Sequence, residues 1–177
     1  MKLTGIALAI LLFTAGAGAQ EVQGVMPLMN WQGSAGFTYM RFYEVPGAIV
    51  NTSGFNSSME YFVKPWAAAE GEVNIGVGSQ LGKSTESVFT GGGLRLQMPV
   101  SPTVNVWIHG LAGGASFSPK TTFGGTGAFG YELGGGFDLM PERRRLGYRV
   151  GVDLLGTSFF GTYQMSPRIT AGIVYKF

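Results

Sequence analysis

The sequence predicts an all-β protein, an eight-stranded antiparallel up-and-down transmembrane β-barrel. Three observations support this fold: side chains that alternate in polarity, an apolar but weakly charged composition, and two kinds of connection that alternate along the chain. Hydrophobic residues make up 45% of the chain and charged residues only 12%, whereas about 25% charged is usual in soluble domains. Beyond residue 19 no apolar run is long enough to form a membrane helix. Apolar residues that alternate with polar ones along the chain suit a closed membrane barrel, because every second side chain of its strands faces lipid.

The first 19 residues have the organisation of a secretory signal peptide. Lys2 gives a positive start, an apolar run covers residues 6–13, and small residues for cleavage fill 15–19. A short transmembrane anchor is the alternative, but the run is much shorter than the roughly 20 residues that a spanning helix needs. We therefore expect residues 1–19 to be a cleaved signal peptide. Residues 20–30 would form a short periplasmic N-terminal arm, and residues 31–177 the barrel.

Charge and cysteine content limit the possible partners. Without Lys2 the chain keeps 11 basic residues against 10 acidic ones, and such a balance indicates no basic face for nucleic acid. The chain contains no cysteine, so neither a lipid-modified cysteine nor a disulfide is available. We therefore expect an envelope protein that does not bind nucleic acid. Its stability would come from the fold alone, without disulfides.

Alternation of apolar and polar residues marks the strands. In the sixth strand, for example, Phe129, Leu133 and Phe137 alternate with Glu132 and Asp138. A strand sends alternate side chains to opposite faces, so this ribbon has one apolar and one polar side. Each segment reaches the roughly 9–11 residues that a tilted strand needs to cross a bilayer. The predicted strands are 33–42, 54–63, 67–78, 87–98, 104–117, 128–139, 146–156 and 167–177.

The connections alternate between short and long. The short ones contain proline, which suits a turn better than a central strand, and are 64–66, 99–103 and 141–145. The longer ones are rich in Gly, Ser and Thr, and are 43–53, 79–86, 118–127 and 157–166. Outer-membrane barrels have short periplasmic turns and longer external loops, so we expect both termini in the periplasm.

Aromatic residues cluster where the two membrane interfaces would be. The predicted periplasmic girdle contains Trp31, Trp66, Tyr148 and Tyr175. The predicted external girdle contains Tyr39, Phe42, Tyr43, Phe55, Phe159, Phe160 and Tyr163. Two girdles are typical of membrane barrels. The alternative is a soluble, lipocalin-like cup whose apolar face points inward, which the signal peptide and the terminal aromatic residue disfavour.

These features resemble the small outer-membrane β-barrels of Gram-negative bacteria, the OmpA-like and OmpX-like group. The resemblance covers residues 31–177 and rests on pattern: the signal, eight strands with short turns, and an alternating last strand. It implies that this strand is the signal read by the barrel-assembly machinery, carried by Ile173, Tyr175 and Phe177. Nothing follows Phe177 in the sequence, so we expect no peptidoglycan-binding domain of the kind that OmpA carries.

Charged residues on the predicted inner face are the most particular feature of the sequence. The expected hairpin registers place opposite charges across neighbouring strands in four pairs: Asp138 with Arg149, Asp153 with Arg168, Glu70 with Arg95, and His109 with Glu132. Opposite charges that face each other in this way stabilise a sheet. An eight-stranded interior is only wide enough for side chains to fill, so we expect this ionic network to plug the lumen. Glu60 and Glu72 have no assigned partners and would need water or a shared proton.

Catalytic motifs are weak. The segment 77–84 nearly matches a phosphate-binding loop, and 125–130 matches a GxGxxG pattern, but a strand follows each where a helix is needed. His109 is the only histidine, and it falls midway along an inner face with no serine spaced to act beside it. A satisfied interior histidine is the favoured interpretation. We assign no catalytic residue, cofactor or metal.

The sequence therefore predicts a monomeric, non-enzymatic outer-membrane barrel with a structural, envelope-integrity or surface-interaction role. Its expected partners are outer-membrane lipid, lipopolysaccharide and, during insertion, the assembly machinery. A narrow pore for small solutes or ions is the first alternative, and a lipid A-modifying enzyme is the second.

Overall fold

The computed structural model describes residues 30–45, 48–80, 83–118, 127–141, 144–159 and 163–177. They form one closed barrel in which each strand pairs antiparallel with its neighbours in sequence and the last strand pairs with the first. The predicted fold class is confirmed. The predicted signal peptide and N-terminal arm lie outside the described residues, except for residue 30. The strands are β1 (Trp31–Val45), β2 (Ala48–Lys64), β3 (Ala67–Gln80), β4 (Lys83–Ser101), β5 (Val104–Ser118), β6 (Gly127–Leu139), β7 (Leu146–Thr157) and β8 (Gln164–Lys176).

Alternate residues of each strand point outward and inward, as the sequence pattern predicts. In β8, Ile173 is 48% exposed, whereas its neighbour Val174 is completely buried. Large apolar side chains are exposed on all eight strands, and the barrel is therefore apolar outside. A surface of this kind needs lipid as its solvent. In the described ranges no helix is long and apolar enough to cross a membrane.

The predicted assembly signal lies on this outer face. Ile173, Tyr175 and Phe177 are each about half exposed, and the backbone N–H of Phe177 donates to the carbonyl of Trp31 at 3.1 Å. The end of the barrel near Trp31 and Phe177 is called the terminal end below, and the opposite end the far end. The contact closes the last strand onto the first, while the role in assembly stays a prediction.

The strands reach farther toward the far end than the sequence suggests. Predicted loops 43–53 and 79–86 are mostly strand, because β1 ends at Val45, β2 begins at Ala48, β3 ends at Gln80 and β4 begins at Lys83. The Ser, Thr and Asn residues of these segments resemble loop residues. In a barrel with a polar interior they can also be inward strand residues, as buried Thr52 shows. Two of the predicted long external loops are therefore short connections.

Of the predicted girdle aromatics whose side chains the structure describes, seven lie on the outer face and two do not; Phe160 and the side chain of Tyr43 lie outside the described residues. Trp31, Trp66 and Tyr148 are at least half exposed, as expected at an interface. Phe42 and Phe159 are each only 2% exposed and point into the lumen. Phe42 lies on the inward row of β1, and Phe159 follows the end of β7 at Thr157. Aromatic content alone does not show which face a residue takes.

Glycine lines the seam between β1 and β8. Gly36 and Gly172 are direct partners in the ladder, and a Cβ on Gly172 would lie 2.2 Å from the carbonyl oxygen of Ala35. The backbones therefore approach more closely than any side chain would permit, which allows the sheet to coil into a narrow cylinder.

We predict that Gly172→Ala lowers the free energy of unfolding by about 1–3 kcal/mol, because the added methyl group meets backbone that must shift. Urea unfolding in detergent micelles, followed by tryptophan fluorescence, measures the change. Gly71→Ala is the control, since nothing lies within 4 Å of its added Cβ. Equal stability of the two variants would contradict this account of the seam.

Candidate functional site: the buried lumen

The far half of the lumen is filled by apolar side chains. Phe42 stacks on Phe117 with ring centroids 5.0 Å apart, and Phe159 meets Phe42 edge-on at 5.9 Å. Aromatic contacts of this geometry add stability beyond the area they bury. The whole apolar cluster consists of Met40, Phe42, Val50, Phe89, Leu111, Ala115, Phe117, Leu155 and Phe159. It seals the far end of the lumen below the loops, a layer that the sequence analysis did not predict.

Toward the terminal end lies a cluster of four charged residues, which we call the terminal cluster: Glu60, Arg95, Asp138 and Arg149. Arg149 donates from Nε to Asp138 Oδ1 at 2.8 Å and from Nη1 to Glu60 Oε1 at 2.6 Å. Arg95 donates from Nη2 to Asp138 Oδ2 at 3.2 Å. All four side chains are almost completely buried. Two guanidinium groups and two carboxylates therefore balance each other out of contact with water.

Trp107 packs between the two arginines of the terminal cluster. The Arg95 guanidinium carbon lies 4.1 Å from the centre of the indole and that of Arg149 lies 5.5 Å away. A cation over an indole face is stabilised by the ring quadrupole. Glycine makes this possible, since a Cβ on Gly151 would lie 2.9 Å from the ring. Only the three-dimensional closure of the barrel creates this contact, so the sequence pattern could not predict it.

Midway along the barrel lies a second group, the central cluster, formed by Glu70, Glu72, His109, Glu132, Asp153 and Arg168. Arg168 joins three of its carboxylates: Nη1 lies 2.6 Å from Glu72, and Nη2 lies 2.6 Å from Glu132 and 2.9 Å from Asp153. Arg95 links the two clusters through a longer contact of 3.7 Å to Glu70. Seven strands, β2 to β8, contribute to one continuous network of buried charge.

His109 is surrounded by carboxylates. Its Nδ1 lies 3.1 Å from Glu70 Oε2, and its Nε2 lies 3.1 Å from Asp153 Oδ1 and 3.4 Å from Glu132 Oε1. An ionised carboxylate only accepts hydrogen bonds, so each ring nitrogen needs a hydrogen or another cation between it and the oxygen it faces. Gly134 leaves space for this arrangement, because a Cβ there would meet both Asp153 and His109.

Two of the predicted charge pairs are confirmed as direct neighbours. Asp138 lies opposite Arg149, and Asp153 lies opposite Arg168. Their side chains are hydrogen-bonded in both cases. The hairpins that join β6 to β7 and β7 to β8 therefore have the predicted registers.

The other two predicted pairs are not directly opposite, because each register is shifted by two residues. Arg95 lies opposite Ala68, two residues from Glu70, and His109 is likewise two residues away from the position opposite Glu132. A shift of two keeps every side chain on its face, so both contacts still form diagonally. The expected registers were wrong by two residues because these Gly-, Ser- and Thr-rich connections, 79–86 and 118–127, fit several turn centres equally well.

Glu60 and Glu72 have partners, which corrects the expectation that they need water or a shared proton. Glu60 lies 2.6 Å from Arg149 and 3.5 Å from Arg95, and Glu72 lies 2.6 Å from Arg168. These contacts cross the lumen between strands that are not neighbours. Pairing along adjacent strands therefore cannot reveal them.

Little free space remains in the lumen. The described residues enclose a cavity of about 10 Å³, bordered by residues of both clusters, which is room for about one water molecule. Ser34 and Ser58 border it, but they hydrogen-bond each other at 2.7 Å and accept from Arg149. In the described part of the chain, His109 forms its hydrogen bonds with the carboxylates of Glu70 and Asp153.

Comparisons with solved structures find the same fold. Neisserial surface protein A aligns with a TM-score of 0.70 at 10% identity, over 84% of this chain and 97% of that one. Ail, the attachment invasion locus protein of Yersinia pestis, gives 0.56 at 15% identity, over 83% and 97%. The outer-membrane enzyme PagL gives 0.53 at 15% identity, over 82% and 99%. The sequence matches no protein-family model and no curated protein at a significant level.

The closed sheet and the apolar outer face define the chain as an eight-stranded transmembrane β-barrel, and its fold is that of small outer-membrane barrels. Identities this low concern the fold alone. Because PagL is an enzyme, the fold by itself does not decide between activities.

We predict that Arg149→Ala lowers the free energy of unfolding by about 3–5 kcal/mol, since it leaves buried carboxylates without their cation. Exchanging the charges, Asp138→Arg with Arg149→Asp, would place the new aspartate beside Glu60 and the new arginine beside Arg95. The exchanged protein should therefore stay as unstable as the single variants.

Urea unfolding of the barrel in micelles tests this prediction. Arg145→Ala is the control, because Arg145 is exposed and its loss should change stability by less than about 0.5 kcal/mol. If the exchanged pair restores wild-type stability, Asp138 and Arg149 form an isolated pair and the network does not exist as described.

Proposed function

We propose that the protein is a non-enzymatic, monomeric barrel of the Gram-negative outer membrane with a structural, envelope-integrity or surface-interaction role. The plugged lumen is central to this proposal. We orient the barrel with its terminal end toward the periplasm and its far end toward the outside of the cell. Outer-membrane lipid and lipopolysaccharide are its partners, and the barrel-assembly machinery inserts it.

The observation that carries the proposal is the filling of the lumen by two successive layers. The apolar cluster occupies the far half, and the terminal and central clusters occupy the rest. A cavity of about 10 Å³ cannot hold a solute. A narrow pore needs a continuous polar path, and the stacked rings of Phe42 and Phe117 lie across such a path.

The far end of the outer face supports a role at the cell surface. The strands exceed the roughly 9–11 residues needed to cross a bilayer, and β4 contains 19. Beyond the apolar band the outward positions become polar and exposed. This polar collar consists of Arg41, Asn51, Ser53, Ser79, Ser84, Glu86, Ser116 and Ser118. A wall that rises out of the apolar layer with a polar outer face suits contact with lipopolysaccharide or another surface.

The surroundings of His109 favour a non-enzymatic role. A hydrolytic histidine needs a nucleophile within hydrogen-bond reach and access to substrate. Both ring nitrogens of His109 contact carboxylates, and its side chain is 2% exposed. A lipid substrate outside the barrel cannot reach it.

We predict that the purified protein shows no sustained conductance in planar bilayers, because no continuous aqueous path crosses the apolar cluster. A variant that opens both layers, Phe42→Ser with Phe117→Ser and Arg149→Ala, should show conductance steps. Phe55→Ser is the control, since Phe55 lies on the outer face and its loss opens nothing.

Steady conductance by the wild-type protein would contradict this proposal and favour a function as a narrow pore. Mass spectrometry of lipid A from cells with and without the protein addresses the enzymatic alternative. An acyl pattern that changes with the protein and reverts in His109→Ala would overturn the non-enzymatic proposal.

A further inference from the structure

We propose that the central cluster is a binding site for one divalent transition-metal ion of the zinc class. His109 Nε2 and the carboxylates of Glu132 and Asp153 would be its ligands. The ion would tie β5, β6 and β7 together inside the lumen. The proposal goes beyond the structural role proposed above and does not depend on it.

The three ligands have the mutual spacing of a small metal site. Nε2 of His109 lies 3.1 Å from Asp153 Oδ1 and 3.4 Å from Glu132 Oε1. Zinc binds nitrogen and oxygen at about 2.0–2.2 Å in a tetrahedron, so two of its ligand atoms lie about 3.4 Å apart. The ligand atoms of these three residues all lie within 4.8 Å of one another. An ion among them requires little rearrangement.

The second nitrogen of His109 is already held as it is in many zinc sites. Nδ1 lies 3.1 Å from Glu70 Oε2, and a carboxylate on the outer nitrogen of a metal-bound histidine fixes the ring and its tautomer. Gly134 contributes space, since a Cβ there would lie 1.9 Å from Asp153 Oδ1 and 2.9 Å from His109 Nε2. The imidazole is therefore oriented with Nε2 toward both carboxylates.

Charge counting gives an independent reason to place a cation here. The terminal cluster is balanced, with two guanidinium groups against two carboxylates. Among its described residues, the central cluster holds four carboxylates, from Glu70, Glu72, Glu132 and Asp153, against the single guanidinium of Arg168. Because a metal-bound imidazole is neutral and Arg95 also contacts Glu70, at 3.7 Å, two to three negative charges remain unmatched. Buried charge is costly unless it is paired, and a divalent ion removes most of this excess.

An unused oxygen points to the same conclusion. Glu132 is completely buried, and its Oε2 has no hydrogen-bond partner among the described residues. Arg168 contacts Asp153 Oδ2 and leaves Asp153 Oδ1 facing His109 Nε2. It also contacts Glu132 Oε1, the oxygen that lies 3.4 Å from that nitrogen, so Glu132 would share Oε1 between Arg168 and the ion or present Oε2. Arg168 therefore orients the two carboxylates without occupying all of their binding capacity.

The type of donor selects the class of ion. An imidazole nitrogen with two carboxylates suits zinc, cobalt or a similar ion. Calcium and magnesium prefer six or more oxygen ligands, or several waters, and the small cavity does not offer them. A solvent molecule in that cavity could supply a fourth ligand.

The test uses the untagged protein, refolded into detergent micelles with or without Co²⁺ and then freed of loose metal. We expect one Co²⁺ per folded barrel, with the visible absorption of a tetrahedral site. His109 is the only histidine, so its two ¹⁵N resonances can be observed without ambiguity. Zn²⁺ should shift Nε2 strongly and leave a hydrogen on Nδ1.

Variants locate the site. Asp153→Asn should weaken Co²⁺ binding by at least tenfold, and Glu70→Gln by about 10–100-fold through the orientation of the ring. Asp138→Asn is the matched control, because it removes a buried carboxylate from the terminal cluster and should retain binding. Heat-modifiable migration in gels confirms that each variant is folded.

The proposal fails if the folded wild-type barrel retains no stoichiometric metal, or if both ¹⁵N resonances stay unchanged with Zn²⁺. It also fails if Asp138→Asn reduces binding as much as Asp153→Asn, which would show general attraction to acidic groups. If Asp153→Asn does not fold, the wild-type resonances decide the question alone.

Discussion

Burial of charge in a narrow closed barrel is the constraint on which the rest of this structure depends. Eight strands enclose a space that only side chains can fill, and here that space holds Arg95, Arg149 and Arg168, each at most 5% exposed. An isolated buried charge costs far more than a domain can tolerate. Every guanidinium must therefore meet carboxylates, and the registers of the strands must bring them there.

This requirement explains features that look unrelated in the sequence. Gly134 and Gly151 have no side chain because Asp153 and Trp107 need the space. Ser34 and Ser58 accept hydrogen bonds from Arg149 Nη1, which also donates to Glu60. The many charge-assisted contacts of a buried network make it rigid and specific for one arrangement. A closed lumen follows from this rigidity as much as from the volume of the side chains.

The far half of the lumen is filled without buried charge. Phe42, Phe117 and Phe159 fill it with rings, so the interior changes from ionic to apolar along the barrel axis. An ion that enters from the terminal end meets paired charges first and an apolar barrier next. The two layers together support the proposed structural or surface role over transport.

Much of the fold could be predicted from the sequence, because alternation with a period of two is a strong signal when one face contacts lipid. The outer row of β6, with Phe129, Leu133 and Phe137, shows this clearly. The interior could be predicted only in part. Asp138 and Arg149 flank a short turn that fixes their register, whereas Glu70 and Arg95 flank a segment that fits several turn centres.

Contacts across the lumen could not be predicted at all. Glu60 meets Arg149 through the closed interior, and no spacing along one hairpin encodes that meeting. Phe42 and Phe159 were assigned to the outer face because aromatic residues are common at membrane interfaces. Phe42 instead lies on the inward row of β1, and Phe159 is buried just beyond the end of β7.

Hydrogen exchange of the arginine side chains tests the central claim most directly, because it reports whether water reaches the guanidinium groups inside the folded barrel. In ¹⁵N-labelled protein transferred to D₂O, the Nε–H signals of Arg149 and Arg168, which donate to Asp138 and Asp153, should persist. Those of exposed Arg144 and Arg145 should vanish at once. If all arginine signals disappear together, water fills the lumen and the buried network is not what closes it.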